Sequence, residues 1–222
     1  MDLLNNLIQH FNNFLWTYIL IAMLLVLGVY FTWKTKFVQF RYLKEMFRLL
    51  GDGATQEKVK GSISSFQAFC ISTASRVGTG NLAGIALALT VGGPGAIFWM
   101  WIIALIGAAS SFVESTLAQI YKTKQPDGSY VGGPAYYMEK ALGKRWLGII
   151  FSILITITFG LIFNSVQSNT ITLAMNEAFG TNNALIGILL TVITLIIIFG
   201  GVHRVSKVSE VIVPVMALAY IF

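Results

Sequence analysis

Six apolar runs, each close to the length of a bilayer crossing, restrict this chain to one kind of solution. A membrane-spanning helix needs roughly 20 mostly apolar residues. Such runs occupy residues 15–33, 66–91, 96–121, 146–173 and 184–201, and a sixth starts at residue 208 and reaches residue 222. Hydrocarbon offers backbone N–H and C=O groups no partners, so spans of this length must satisfy themselves as helices. The expected fold is all-α, a polytopic membrane protein with one transmembrane domain over residues 1–222. Only 11% of its residues are charged, against about 25% in soluble domains. The first residues, MDLLNNLIQHFNNF, lack a basic n-region and a small-residue cleavage site, so they read as mature sequence.

The cations set the expected orientation. Seven lie between the first and second runs: Lys34, Lys36, Arg41, Lys44, Arg48, Lys58 and Lys60. Five lie between the third and fourth: Lys122, Lys124, Lys140, Lys144 and Arg145. Arg204 and Lys207 separate the fifth from the sixth. Fourteen of fifteen thus fall in alternate loops, which puts those loops in the cytoplasm and the N-terminus outside a plasma membrane. The net charge of +6 is therefore a topology signal, and no nucleic-acid partner is expected. Residues 37–50 mix bulky apolar residues with cations. They read either as a helix on the cytoplasmic face or as a basic loop.

One stretch conflicts with its surroundings. SRVGTGNLAGIA, residues 75–86, places three glycines, an arginine and an asparagine inside the second apolar run. GTGNLA matches a dinucleotide-binding glycine pattern, but Trp99, Met100 and Trp101 stand where that motif needs an acidic residue. Gly80 and Gly84 form a GxxxG, which would also serve close helix packing. Each glycine disfavours helix by about 1 kcal/mol relative to alanine, so unwinding at Gly78, Thr79 and Gly80 is expected. Unwound backbone survives at membrane depth only against protein or a wet cavity. Gly80 lies roughly 21 Å from Phe66 at helical rise, near the middle of a ~30 Å core. A helix broken there offers carbonyls to a cation and N–H groups to a carboxylate.

Other polar residues in the runs have two readings each. Arg76 would cost at least about 2.5 kcal/mol at a helix centre without a partner. It either pairs with Glu114, the acid of the third run, or leaves Glu114 facing a cytoplasmic vestibule. In the fourth run Gly160, Asn164, Gln167, Ser168 and Ile171 share one helix face. That stripe is either a packing seam or a cavity wall with Gln167 bonding a ligand. Gln167 is roughly 31 Å along from Trp146. A run this long must tilt, which brings Gln167 nearer Gly80 in height. Pro134 to Leu142 reads as a short amphipathic helix with proline in its first turn. Lone Cys70 reads as a packed thiol. No metal-ligand motif, nucleotide loop or nucleophile–base pair is present, so no enzyme activity is expected.

The stretches FQAFCISTASRVGTGNLAGIALAL, GGPGAIFWMWIIALIGAASSFVESTLAQIYK and DGSYVGGPAYYMEKALG, with NSVQSNTI more weakly, resemble the alanine or glycine:cation symporter family, also called sodium:alanine symporters. The likeness extends from about Leu15 onward. It implies a LeuT-like inverted-repeat transporter, with the second to sixth spans as the first repeat and the first span as an extra helix. It implies inward carriage of alanine or glycine with sodium, and no cofactor beyond that co-transported ion. Carried onto the matching motif, Thr79, Gly80, Asn81 and Gln167 would contact substrate. The carbonyls of Ala74 and Val77 would help hold sodium.

Members of that family are longer, by roughly a second repeat. The chain therefore reads as the first repeat only, inactive alone and dependent on a separate C-terminal half. The alternatives are a non-transporting membrane fragment or interaction partner, and a cation channel. A channel would more often carry acidic rings, whereas Glu114 reads as the single intramembrane acid.

Overall fold

The computed structural model describes residues 2–55, 63–126 and 128–221. Among the described residues the protein is helical apart from one two-residue strand pair, and its apolar helices make it a multi-pass membrane protein. Helix α1 (Asp2–Phe14) continues through a π-helical stretch, Leu15–Leu20, into α2 (Ile21–Lys34). Short α3 (Val38–Arg41) and α4 (Leu43–Thr55) follow, so residues 37–50 form helices and not an irregular loop. Lys58 and Lys60 lie outside the described residues. Next come α5 (Ser65–Arg76), α6 (Gly80–Gly92) and α7 (Gly95–Ile120). Strands β1 (Thr123–Lys124) and β2 (Tyr130–Val131) pair antiparallel ahead of α8 (Pro134–Leu142), which spans the residues its proline and amphipathic pattern foretold. Helix α9 (Arg145–Ile157) runs through a second π-helical stretch, Thr158–Phe163, into α10 (Asn164–Phe179). The chain finishes with α11 (Asn183–Ile198) and α12 (Gly201–Ile221).

Among the described residues three continuous helices are long and apolar enough to cross a membrane: Leu3–Lys34, Gly95–Ile120 and Arg145–Phe179. The first helix begins near residue 2, ahead of the apolar run at 15–33, because nothing in LLNNLIQHF breaks helical hydrogen bonding. One expectation needs correction. The stretch carrying Arg204 and Lys207 is no open loop. It is the first part of α12, and the turn sits earlier, at Phe199 and Gly200, where α11 and α12 meet at 119°.

Packing groups the helices in pairs. Helix α2 lies on α7, α5 on α12 and α4, α8 on α9, and α10 on α11. Gly28 lets α2 approach α7 closely, since a Cβ there would run into Ile106. Small residues are the usual means of such contact in membranes. Most large apolar side chains stay exposed, Trp99 and Trp101 among them. In water that surface would be penalised at about 25 cal/mol per Å²; against lipid it is not. Among the driest side chains, each at most 1% exposed, Gln67 and Cys70 lie on α5 and Ser206 on α12, the two helices of one seam, while Val38 lies on α3 and Ala109 on α7.

Candidate functional site

The second apolar run does not form one helix. A capping box starts α5: Gln67 N–H donates to Ser64 Oγ at 3.1 Å, and Ser64 N–H donates to Gln67 Oε1 at 3.3 Å. Such a box satisfies two orphan donors of the first turn. Helix α5 stops at Arg76, and Val77 leaves helical geometry with φ −101° and ψ 115°. Helix α6 opens three residues later at Gly80. Val77, Gly78 and Thr79 lie between the two.

The donors that would have carried the helix onward turn elsewhere. Gly78 N–H donates to Asn81 Oδ1 at 3.2 Å, and Asn81 N–H returns to the Gly78 carbonyl at 3.0 Å. Thr79 N–H donates to Gln167 Oε1 at 3.1 Å, and the Thr79 hydroxyl donates to the same oxygen at 2.8 Å. A continuous helix would have brought the Gly78 N–H to the Ala74 carbonyl and the Asn81 N–H to the Val77 carbonyl. Those carbonyls stand at a helix C-terminus, where partial negative charge collects.

Gln167 therefore reaches the break. Its amide sits so close to Gly78 that a Cβ on that residue would collide with Gln167 Nε2. Here glycine answers a steric demand from another helix. Thr79, Gly80, Asn81 and Gln167 come together. Asn81 spends its side-chain oxygen on the Gly78 N–H, so it shapes the break. Gly80 and Gly84 meet nothing within 4 Å of a built Cβ, so no helix uses the GxxxG face among the described residues.

The ion pair between Arg76 and Glu114 is not formed. Arg76 donates instead to two hydroxyls, Ser72 Oγ at 2.6 Å and Ser111 Oγ at 3.0 Å. Glu114 lies a turn beyond Ser111, on the side of α8. Its negative charge adds to burial in pushing the Tyr137 phenol up. The polar stripe of the fourth run divides. Gln167 turns to the break, while Asn164 and Ser168 help line an open groove of about 610 Å³ between α10 and α11, with Asn183 opposite.

The sequence reading missed a second link. Gln67 Nε2 donates to Glu210 Oε2 at 2.7 Å, joining α5 to α12. Glu210 is a second acid inside the apolar runs, so Glu114 is not alone. The S-x-x-Q spacing at Ser64 and Gln67 was a readable signal for half of it. Nothing in the sequence pointed Gln67 at Glu210.

Comparison with known proteins places the chain among transporters. A family model described as the sodium:alanine symporter family matches residues 1–222. The chain is 59% identical over 220 residues to "Probable sodium/glutamine symporter GlnT" of Bacillus subtilis, covering 99% of this chain and 46% of that one. It is 57% identical to "Amino-acid carrier protein AlsT" of the same organism, covering 98% of this chain and 46% of that one. It is 37% identical to "Sodium/alanine symporter AgcS" of Methanococcus maripaludis, covering 97% of this chain and 49% of that one. The chain thus spans about half the length of the curated relatives it matches.

Proposed function

The chain belongs to the sodium:alanine symporter family, and on that premise we propose that it forms part of a sodium-coupled importer of small neutral amino acids in the plasma membrane. Its N-terminus lies outside. The break between α5 and α6 is the interruption of one membrane span, and the fold is the first half of a LeuT-like inverted repeat. Alanine or glycine is the substrate, and sodium is the co-transported ion.

One observation carries this reading: two donors of one residue, the Thr79 N–H and hydroxyl, converge on a single oxygen. Two donors aimed at one point suit a carboxylate oxygen, for charge-assisted hydrogen bonds are shorter and about twice as strong as neutral ones. The Gln167 amide oxygen stands in for that carboxylate here. A substrate carboxylate would take over the Thr79 donors, and the freed Gln167 amide would bond the substrate. The Ala74 and Val77 carbonyls would face the sodium ion, beside the substrate's own negative charge. Gly80, without a side chain, leaves room for the close approach.

The name of the 59% identical Bacillus subtilis relative supplies the competing reading, in which glutamine is carried. The relatives' additional length supports a further element of the proposal. The 222 residues alone do not transport, and a second half supplies the facing wall. Uptake of labelled alanine, glycine and glutamine, with and without sodium, tests all of this. The chain is measured alone and then co-expressed with the remaining half of a relative. Sodium-dependent alanine or glycine uptake only on co-expression is the expected result. Uptake by the chain alone would refute the division of labour, and glutamine uptake without alanine uptake would refute the substrate.

A further inference from the structure

Glu210 has no part in the site just described, yet a carboxylate within a membrane span is costly to retain. Its hydrogen-bond partner among the described residues is neutral: the buried Gln67 amide donates to it at 2.7 Å. Gln67 also serves the start of α5, because its side-chain oxygen accepts from the Ser64 N–H and its backbone N–H donates to Ser64 Oγ. The same residue therefore starts α5 and ties that start to α12.

The two halves of the second run rest on different neighbours. Helix α5 packs on α12 and α4, whereas α6 packs on α7. Three non-helical residues, Val77 to Thr79, join them. Helix α5 is thus a twelve-residue lever with a joint at one end and a polar tie at the other. The carbonyls of Ala74 and Val77 ride on the jointed end.

We propose that Glu210 is a positioning residue: through Gln67 it holds α5 against α12, and so holds the Ala74 and Val77 carbonyls where a cation can meet them. Release of the tie lets α5 turn about Val77–Thr79. The inference rests on the reading of the break as a cation and substrate site, but the tie can be tested apart from transport.

The test uses Cys70, the chain's single cysteine. It lies in the same seam, 1% exposed and one turn from Gln67. With the chain in lipid nanodiscs, its alkylation by a small maleimide reports opening of the seam. Glu210→Ala should raise the rate by about tenfold, the loss of one charge-assisted hydrogen bond. Glu210→Gln keeps an oxygen that accepts from Gln67 and should stay near the parental rate. A cysteine at Ala109, which is 0% exposed in α7, placed in a Cys70→Ala background, should remain slow when Glu210→Ala is added. Parental alkylation of Cys70 in Glu210→Ala would overturn the proposal. Equal acceleration at position 109 would overturn it too, because it would mean general unfolding. Sodium should slow Cys70 alkylation in the parent, with about tenfold more needed in Glu210→Ala. A freed Cys70 with no sodium effect in either would leave the tie standing but defeat the cation reading and the positioning role with it.

Discussion

The chain interrupts its helices in two places that look alike on paper and differ in how the backbone is satisfied. Between α11 and α12, at Phe199 to Gly201, the turn closes on itself. Phe199 N–H bonds the Leu195 carbonyl at 3.0 Å, Gly200 N–H bonds Ile197 at 3.2 Å, and the Arg204 side chain caps Ile196 at 2.8 Å. Between α5 and α6 the Thr79 donors are met by Gln167, 88 residues away. A turn satisfied by its own neighbours is a finished piece of structure. One satisfied by a side chain from another helix has a replaceable partner, and that is what a binding site requires. On the reading proposed above, the contrast distinguishes a bend from a binding site without appeal to the glycines, which both contain.

The sharpest way to break that contrast is Gly78→Ala. The new Cβ would drive the Gln167 amide away and strip Thr79 of its acceptor. Uptake by the chain with its complementing half should fall about 30-fold, because the displaced amide can no longer bond the substrate and the new Cβ crowds the break. Next is Gln167→Leu, which removes the acceptor without adding bulk at Gly78. It also deletes the amide that would bond the substrate, a loss of about 1–1.5 kcal/mol, so uptake should drop about tenfold. Unchanged uptake in either variant would place the site elsewhere.

The other interruption should respond in stability alone. Gly201 has φ +69° with nothing within 4 Å of a built Cβ, so an alanine there meets only backbone strain. Gly201→Ala should cost about 1–2 kcal/mol in chemical unfolding while substrate affinity holds steady. A shift in affinity would show that the two interruptions are coupled after all. Smallest is Thr79→Val, which keeps the shape and the N–H but deletes the hydroxyl. About 1 kcal/mol, or fivefold in affinity, should be lost. Thr79→Ser should restore it.

Much of the fold was legible because it follows from local chemistry. Long apolar runs forced helices over 95–120 and 145–179, and a proline after two glycines set the start of α8. The interruption near Gly78 could be anticipated from glycine content and backbone accounting. What answers the interruption could not. Gln167 was placeable only by counting along a tilted helix, and tilt is decided by neighbours. Arg76 had two readings, a pair with Glu114 or no such pair, and neither named the serines at positions 72 and 111 that it meets. Glu210 escaped notice because a single acid near the edge of an apolar run looks like a boundary residue until Gln67 is seen beneath it. The residues that touch across the fold are those whose partners sequence spacing cannot name.

Amide hydrogen exchange in lipid nanodiscs tests the central claim most directly, by comparing residues 66–91 with residues 95–120. The account predicts slow exchange throughout α7 and through α5 and α6, with fast exchange confined to Val77–Gly80. In Gln167→Leu the Thr79 amide should speed up further, while Phe199 to Gly201 stay as they were. Uniform protection from Phe66 to Val91, or a Thr79 amide indifferent to Gln167, would contradict it.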